Sequence, residues 1–387
     1  MTCSCNVCGN ALETPIYASA EDSSITTMNI LVPGRTRVFL CGHCGHLQTA
    51  ELQDAVDYYA NVYAINLTSD DDDQLYQIVD GRPVYRADHQ AQVLLSKLDL
   101  FDGCRILDYG CAKAPTLKKV AARAPQVRPF LFDVTDKYQA FWRKFPGVAG
   151  WACHQTDPAW AGTMDVVLSF YALEHIPALQ DAVANIKALL KPGGIFYFIV
   201  PNVQRSPSDF VVADHVNHFT EASLHYLLGA QGFDHIEVDA RAHDAAYVVT
   251  ARLGPGASGK PVMPAPGAIA RLDAAAREMS EYWSGVAGRI QAFERSQPAG
   301  ATSAIYGAGF FGNFIAATLA SMSHVACFVD RNAHLQGRQC LDREVVAPAA
   351  LPADVGYLYV GLNPRISREA IRAIAEWHDR QLDIFYL

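Results

Sequence analysis

Short runs of hydrophobic residues alternate with amphipathic segments through the middle of the chain. The apolar runs lie at 105–108, 129–133, 164–170 and 195–200. Helical patterns, with apolar residues three or four positions apart, lie between them at about 116–124 and 178–190. Continuous apolar strands between helices are typical of a parallel sheet that helices cover on both faces. The pattern therefore predicts an α/β fold built on a doubly wound sheet.

Regions on either side of these runs extend the predicted unit. Residues 233–238 and 247–251 have the pattern of strands and are predicted to close the sheet as a pair. Residues from about 51 to 100 are predicted to be helical, because their apolar residues fall on common helical faces. These residues are Leu52, Val56 and Tyr59 on one face, and Val93, Leu94 and Leu98 on another.

A second, smaller alternation of strands and helices follows a linker. Residues 254–267 are rich in proline and glycine, a composition that is typical of linkers. A long helix is predicted at about 268–295, and strands alternate with helices again from Ser303 onward. The predicted domains are therefore 1–74, 75–253 and 268–387, with the linker 254–267 between the last two.

Composition and charge exclude several classes of function. The 387 residues include 31 Lys and Arg against 40 Asp and Glu, for a net charge of −9. A protein that neutralises many phosphates needs a basic face, so duplex nucleic acid is not expected as a partner. No apolar run approaches the ~20 residues that span a bilayer, and the N-terminal residues lack the pattern of a secretory signal. We therefore expect a cytoplasmic protein whose partners are neither nucleic acids nor membranes.

Five of the ten cysteines fall within the first 44 residues. Cys5 and Cys8 form one pair with two residues between them, and Cys41 and Cys44 form another. In a reducing compartment such a cluster indicates a metal before a disulfide, and four thiolates suit tetrahedral zinc. A glycine follows each pair, as tight turns require. We predict a structural zinc on these four cysteines, with Cys3, His43 and His46 as substitute ligands.

Acidic residues stand where the predicted strands end. Asp108 and Gly110 follow the first strand, Asp133 ends the second, and Asp157 follows another predicted strand at 151–156. Ligands of open parallel sheets bind at the carboxyl ends of the strands. A carboxylate at the end of the second strand can accept hydrogen bonds from both hydroxyls of a ribose. The spacing therefore indicates a nucleoside-containing ligand at this edge.

The stretch from about 75 to 253 resembles a class I methyltransferase that uses S-adenosylmethionine. The family's motifs are matched by Leu107–Gly110, Asp133, Asp165–Ile176 and Leu190–Gly194. The resemblance implies S-adenosylmethionine as the cofactor, with Asp108, Gly110, Asp133, Asp157 and Tyr171 as binding residues. The sequence departs from the family at Ala112 and Ala114, where glycines are usual. Each alanine adds a methyl group where the backbone approaches the ligand, and a binding module without catalytic activity is one alternative.

The whole layout resembles sugar C-methyltransferases that act on nucleotide-linked deoxysugars. The matching features are the paired cysteines, Cys44–Gln48, Tyr58–Tyr63, Asp214–Phe219 and the glycine-rich turn after Ile305. The resemblance implies a zinc-binding domain, a methyltransferase domain and a C-terminal Rossmann-like domain. It also implies a nucleotide-activated keto-deoxysugar as the substrate, and leaves the sugar, the nucleotide, the methylated carbon and the oligomeric state open.

Methylation of carbon requires an enolate, which forms when a base removes a proton beside a keto group. His175 follows the fourth predicted strand, and Asp214 and His215 follow the fifth, on the ligand side of the sheet. We predict His215 as the base, with Asp214 and His175 supporting the substrate or its developing oxyanion. Tyr63 is predicted to reach over the site. An O- or N-methyltransferase of the same layout is a close alternative.

The C-terminal region contains a dinucleotide fingerprint of its own. Gly307, Gly309 and Gly312 follow a predicted strand, and Asp330 ends the next one. Taken alone, this motif indicates an NAD(P)-dependent oxidoreductase, which is the second class of function considered. In the family that the chain resembles, the corresponding domain packs beside the substrate site and transfers no hydride, and we prefer that interpretation.

Overall fold

The computed structural model describes residues 3–20, 22–52, 55, 58–59, 63, 73–254 and 259–387. The chain divides into two compact units. The first comprises Met1–Ala18 and Thr36–Ala276, and the second comprises Ser19–Arg35 and Arg277–Leu387. The first unit therefore contains both the cysteine pairs and the region that resembles a methyltransferase.

The cysteine region of the first unit is built from short antiparallel strands. Strands β1 (Cys3–Ser4) and β2 (Ala11–Leu12) form a hairpin. A four-stranded sheet contains β3 (Tyr17–Ala18), β6 (Arg37–Leu40), β7 (Leu47–Thr49) and β15 (Asn217–His218). Asn217 pairs with Gln48 and His218 with Leu47. A strand from the central region thus completes the sheet of the cysteine region.

The segment between the cysteine region and the central sheet differs from the prediction. From Asp73 onward, strands β8 (Leu75–Val79) and β9 (Arg82–Tyr85) form a hairpin that precedes α1 (Arg86–Lys97). Ala55, Tyr58 and Tyr59, the described residues nearer the cysteine region, are helical as predicted. Asp80 and Gly81 form the turn with φ of 49° and 76°. An Asp-Gly pair between short apolar segments favours a tight hairpin turn, and this local signal overrides the helical pattern. Val56 lies outside the described residues.

The central sheet of the first unit has seven strands in the order β12, β11, β10, β13, β14, β17, β16. They are β10 (Arg105–Tyr109), β11 (Arg128–Asp133), β12 (Gly150–Cys153), β13 (Met164–Phe170), β14 (Leu190–Pro201), β16 (Phe233–Asp239) and β17 (Ala246–Leu253). The first five run parallel, and β17 is antiparallel to both β14 and β16. The predicted doubly wound sheet and its closing pair are confirmed.

Apolar side chains on both faces of this sheet form its core. Phe196 and Phe198 pack into one cluster, whereas Tyr197 and Ile199 point to the other face and join a second cluster. Successive residues of a strand point to opposite faces, so an unbroken apolar run fits only a strand covered on both sides. The helices are α2 (Pro115–Arg123), α3 (Gln139–Trp142), α4 (Leu179–Leu189) and α5 (Glu221–Ala230).

The sheet order places a ligand site at a defined point. The chain leaves β10 toward β11 on one side, and β13 lies on the other side of β10. Neighbouring connections therefore diverge at the carboxyl ends of β10 and β13. A crevice at such a reversal of strand order is where open α/β sheets bind ligands.

The second unit has a six-stranded sheet in the order β20, β21, β19, β18, β22, β23. These strands are β18 (Thr302–Tyr306), β19 (Val325–Val329), β20 (Gln339–Cys340), β21 (Arg343–Val346), β22 (Val355–Val360) and β23 (Asp383–Tyr386). A hairpin of β4 (Ser23–Ile25) and β5 (Leu31–Pro33) also belongs to this unit. The predicted strand and helix alternation after Ser303 is therefore present.

Three further helices among residues 259–387 are α6 (Ala268–Ser296), α7 (Phe310–Thr318) and α8 (Ser367–Arg372). Helix α7 follows the glycine-rich turn after β18. Throughout the described ranges, no helix combines the length and the apolar character that crossing a bilayer requires.

Candidate functional site

The four paired cysteines converge in the first unit. Sγ of Cys5 lies 3.6 Å from Sγ of Cys44, and Sγ of Cys8 lies 3.4 Å from Sγ of Cys41. All four sulfur atoms lie within 4.8 Å of one another. Zinc bonds to thiolates at about 2.3 Å in tetrahedral geometry, which separates the sulfurs by roughly 3.8 Å. The donor set and its spacing therefore fit a tetrahedral metal ion.

The backbone of the two cysteine turns matches the sequence prediction. Gly9 and Gly45 have φ of 76° and 75°, in the left-handed region that favours glycine. A Cβ atom at Gly45 would lie 2.8 Å from Cδ1 of Leu272, so space also requires glycine there. Without a cation, the hydrogen bond to Cys41 and burial raise the pKa of Cys5 to about 12. A bound divalent cation would instead lower the pKa of Cys5, because cysteine binds a metal ion as the thiolate.

The three substitute ligands face other partners. Sγ of Cys3 accepts a hydrogen bond from Nε2 of Gln48 at 3.2 Å, and Nε2 of His43 lies 3.2 Å from the hydroxyl of Tyr226. Nε2 of His46 lies 3.2 Å from Oδ1 of Asn217. The candidate metal centre therefore consists of Cys5, Cys8, Cys41 and Cys44 alone, as far as the described residues extend.

Asp108 and Asp133 lie together at the carboxyl ends of β10 and β11. Both carboxylates are buried, and Oδ1 of Asp108 has no hydrogen-bond partner among the described residues. Burial and the nearby Asp133 raise the pKa of Asp108 to about 8. Oδ2 of Asp133 accepts from the backbone N–H of Ala112 at 2.8 Å, and Oδ1 accepts from Thr135 at 3.1 Å. Each oxygen of Asp133 retains a lone pair for a ribose hydroxyl.

The turn after β10 is crowded and partly left-handed. Gly110 has φ of 75°, and a Cβ atom there would lie 2.7 Å from Cβ of Ala172. Ala112 and Ala114 have φ of 46° and 54°, so both alanines adopt the conformation that the usual glycines favour. The turn thus keeps the glycine-type backbone that lets a ligand approach closely, although two of its residues carry methyl groups.

We expect Ala112→Gly to raise the free energy of unfolding by about 0.5–1 kcal/mol. A left-handed alanine costs about 1–2 kcal/mol, and glycine loses about 0.5–1 kcal/mol more entropy on folding. Ala114→Gly is the matched comparison, because the Ala114 methyl is fully buried and its loss removes about 0.8 kcal/mol. Denaturant unfolding of both variants measures the difference; an Ala112→Gly variant that is less stable than the Ala114→Gly variant contradicts it.

Asp157 lies at the rim of a cavity of about 490 Å³ beside the ends of β11 and β12. Its side chain is exposed and caps a short 3₁₀ helix by accepting from the backbone N–H of Ala159 at 2.9 Å. Tyr109, Phe132 and Val134 also line the cavity. A cavity with both aromatic and polar lining residues, which begins at Val134 directly after Asp133, suits the base of a nucleoside whose ribose that carboxylate holds. The cavity, the free oxygen of Asp108 and the turn together fit S-adenosylmethionine.

The second unit repeats part of this arrangement. The backbone N–H of Ala308 donates to Oδ2 of Asp330 at 2.9 Å, as Ala112 does to Asp133. A Cβ atom at Gly312 would lie only 1.8 Å from the carbonyl oxygen of Gly307, so Gly312 serves the packing of helix on turn. The predicted strand, glycine-rich turn and helix are thus present in the second unit.

We expect Asp133→Ala to weaken binding of S-adenosylhomocysteine by about 1–3 kcal/mol, through lost hydrogen bonds to the ribose. Asp330→Ala is the matched control, because it removes the same contact to a glycine-rich turn in the other unit. Calorimetry of both variants measures the difference. Equal losses in the two variants, or none in either, would contradict binding at Asp133.

A cluster of histidines and carboxylates lies at the ends of β13 and β14. Nδ1 of His215 lies 2.6 Å from Oδ1 of Asp209, and Nδ1 of His218 lies 3.2 Å from the other oxygen of Asp209. The carboxylate that orients His215 is therefore Asp209 and not its sequence neighbour Asp214. Asp214 instead accepts a hydrogen bond from the hydroxyl of Tyr58 at 2.9 Å.

His175 stands opposite His215. Their rings are 4.7 Å apart and nearly perpendicular. Nδ1 of His175 lies 2.9 Å from the carbonyl oxygen of Asp214, and Nε2 lies 3.3 Å from the hydroxyl of Tyr63. The predicted group of His175, Asp214, His215 and Tyr63 is thus brought together in space. Tyr171 follows β13 with φ of 52°, and the guanidinium of Arg86 lies 4.9 Å from its ring centre.

Burial and neighbouring charges shift the pKa values of the residues in this cluster in different directions. Burial alone would lower the pKa of His215, but the hydrogen bond and charge of Asp209 overcome it and raise the pKa to about 9. Burial and the neighbouring His215 lower the pKa of His175 to about 4. Burial raises the pKa of Glu174 to about 8. At neutral pH, His175 is therefore neutral, His215 carries a proton on both ring nitrogens in most molecules, and the buried carboxylic acid of Glu174 keeps its proton.

Glu174 and Asp209 are site residues that the sequence prediction missed. Oε2 of Glu174 is buried without a hydrogen-bond partner among the described residues. A carboxylate oxygen of Glu174 and one ring nitrogen each of His175 and His215 lie within 4.8 Å of one another. Glu174 directly precedes His175 in the sequence, and this position could have indicated it as a site residue. Asp209 lies in a short 3₁₀ helix, Pro207–Val211, where neither strand nor helix periodicity indicates its direction.

Residues 84–238 match the family model described as a methyltransferase domain. The match spans β10 to β14 and includes the turn, Asp133 and the histidine cluster. This part of the chain therefore matches a methyltransferase domain. The match agrees with the resemblance that the sequence motifs indicate and with the order of the central strands. No curated protein sequence matches the chain.

Solved structures of methyltransferases are similar to part of the chain. The CurJ carbon methyltransferase is 16% identical with a TM-score of 0.35, covering 41% of this chain and 51% of that one. A putative methyltransferase complexed with the Haloferax volcanii activator Trm112 is 15% identical with a TM-score of 0.38, covering 44% and 91%. An O-methyltransferase family protein from Burkholderia thailandensis is 15% identical with a TM-score of 0.36, covering 44% and 57%. The chain spans about half the length of the CurJ structure.

Proposed function

We propose that the enzyme transfers a methyl group from S-adenosylmethionine to a carbon of a nucleotide-activated keto-deoxysugar, through an enolate. The observation that carries this proposal is the buried pair of His215 and Asp209 at the carboxyl ends of the strands. A carboxylate that holds one ring nitrogen leaves the other free to accept a proton, and it raises the basicity of the ring. A proton on carbon needs such a base.

The chain's own residues divide the chemistry between them. In the neutral form of the His215 ring, Nε2 takes the proton beside the keto group, and the electron pair of that C–H bond moves to form the enolate. Glu174 keeps its proton at neutral pH and donates a hydrogen bond to the developing oxyanion. His175 is neutral at this pH. Its Nε2 accepts a hydrogen bond from the hydroxyl of Tyr63 and holds that hydroxyl toward the substrate.

The cofactor supplies an activated methyl group whose transfer to the enolate carbon leaves S-adenosylhomocysteine. Asp108, Gly110 and Asp133 would hold it, with Asp157 and Tyr171 beside them. The cofactor's methyl group and the enolate carbon must lie in line for displacement, so positioning contributes much of the rate. We also propose that a zinc ion occupies the four cysteines, since the donor set and spacing fit it.

The proposed sugar substrate rests on the layout of the chain. A cysteine centre, a methyltransferase domain and a C-terminal unit with a glycine-rich turn follow one another along the chain, as in sugar C-methyltransferases. A nucleotide on the sugar would supply contacts remote from the reacting carbon, and such contacts raise the rate when they fix orientation.

Proton exchange in deuterated water tests the proposal without methyl transfer. With S-adenosylhomocysteine bound, the enzyme is expected to exchange the proton beside the keto group of a nucleoside diphosphate keto-deoxysugar, since enolisation precedes methylation. With S-adenosylmethionine, the product should carry its new methyl group on carbon, as mass spectrometry and NMR of the product would show. A methyl group on oxygen or nitrogen, with no exchange, would favour the alternative methyltransferase. Hydride transfer with NADH would favour the oxidoreductase.

A further inference from the structure

Asn217 lies between the cysteine turns and the histidine cluster. It is fully buried in β15, the strand that joins the sheet of the cysteine region. Its Oδ1 accepts from Nδ2 of Asn6 at 2.9 Å, and Nε2 of His46 lies 3.2 Å from the same oxygen. Asn6 stands between Cys5 and Cys8, and His46 follows Cys44 by two positions. One end of this amide is therefore fixed by both cysteine turns.

The other end of the amide holds the turn that carries two residues of the proposed active site. Nδ2 of Asn217 donates to the carbonyl oxygens of Leu173 at 2.9 Å and Ile176 at 2.8 Å. These carbonyls bracket Glu174 and His175. All four hydrogen-bonding positions of the side-chain amide are thus used, two toward the cysteine turns and two toward this turn.

The next residue of the same strand leads to the second histidine. Nε2 of His218 lies 2.6 Å from Oγ1 of Thr49 in β7, and its Nδ1 lies 3.2 Å from Asp209. Asp209 in turn holds His215. Strand β15 therefore connects the cysteine region to His175 through Asn217, and to His215 through His218.

We propose that Asn217 is a positioning residue that couples the cysteine centre to the imidazoles of His175 and His215. This positioning role rests on the proposed function, because only that function makes His175 and His215 act on a substrate. A buried amide that satisfies four partners fixes the distance between them, since any displacement leaves a polar group unpaired. Loss of the metal or of the amide thus displaces the turn at Leu173–Ile176 while the cofactor residues on β10 and β11 stay in place.

Asn217→Asp tests this with almost no change in shape. The substitution replaces the donor Nδ2 by an oxygen that faces two carbonyl oxygens, so the turn loses both hydrogen bonds. We expect the ring nitrogen NMR signals of His175 to shift and turnover to fall by about 10–100-fold, as for a displacement near 1 Å. Metal content and S-adenosylhomocysteine affinity are expected to stay at wild-type values.

Asn313→Asp is the matched control. Nδ2 of Asn313, also buried, donates to two carbonyl oxygens, those of Ala308 and Gly309, in the second unit. The variant makes the same chemical change and should leave the signals of His175 and His215 unchanged. Shifts of equal size in both variants would show general destabilisation and would overturn the proposal.

Two further measurements keep the proposal falsifiable if Asn217→Asp folds poorly. Asn6→Ser removes one bond to Oδ1 of Asn217 and should shift the His175 signals in the same direction by less. Removing metal from the wild type with a chelator should shift them too; unchanged signals in either experiment overturn the coupling. The NMR measurements need no substrate, so shifts without enolisation activity would refute the proposed function and leave the positioning role standing.

Discussion

His215→Ala is expected to lower turnover by about 10²–10⁴, with little change in the affinity for S-adenosylhomocysteine. The free nitrogen of His215 is the proposed acceptor of the carbon-bound proton, and alanine leaves Asp209 without its partner. Asp108 and Asp133, the carboxylates proposed to hold the cofactor, lie on β10 and β11, apart from this substitution. Exchange of the substrate proton with deuterated water should fall by a similar factor, because it reports the same step.

The pH dependence gives a second measure of the same role. A base must be neutral to accept a proton, and the pKa of His215 is raised to about 9. Turnover is therefore expected to rise with pH from neutrality and to pass through a maximum between about pH 8 and 9, because His215 must lose its proton while Glu174, whose pKa is raised to about 8, must keep its own. Asp209→Asn removes the negative partner that raises this pKa, so the rise should move to lower pH. Turnover that falls steadily from neutral pH upward, with no maximum, would instead assign His215 a role as a cation.

The control for His215→Ala is removal of a histidine outside the cluster. His235 is exposed on β16, and His235→Ala should leave both turnover and proton exchange at wild-type values. Added imidazole should restore part of the activity of His215→Ala if the missing group is a base. A His215→Ala enzyme with near wild-type turnover removes the residue from the mechanism.

Residues at the ends of regular strands could be predicted from the sequence. Asp108 and Asp133 end apolar runs, and the parallel order of β10 and β11 brings such ends to one edge. The cysteine pairs were equally visible, because their spacing is local. In both cases a short stretch of sequence fixes the direction of the side chains.

Residues held by irregular segments could not be predicted in this way. The partner of His215 lies six positions away in a 3₁₀ helix, and no periodic pattern shows that Asp209, rather than Asp214, faces the imidazole. In the sequence, nothing distinguishes Asn217 from the other polar residues near it. Its four hydrogen-bonding partners follow from the pairing of β15 with β7. Long-range contacts decide such positions, and hydrophobic patterns do not contain them.

The cysteine pairs lead to the second large expected effect. The double variant Cys41→Ser, Cys44→Ser is expected to lose a zinc content of about one ion per chain, because two of four thiolate ligands are gone. Binding of structural zinc is worth about 10–16 kcal/mol in small zinc-dependent folds, and this free energy supports folding. Elemental analysis and thermal unfolding should therefore show loss of the metal together with a lower midpoint.

Cys3→Ser is the matched control for the double variant. Cys3 belongs to the same region, but its sulfur accepts from Gln48 and lies outside the group of four sulfurs. This variant should retain its zinc, because serine can accept the same hydrogen bond. Zinc should also dissociate from the wild type as the pH falls, since protons compete for the thiolates. Full metal retention by the double variant would place the ion on other ligands. The hydrogen bonds of Asn6 and His46 to Asn217 would then not connect Asn217 to a metal centre.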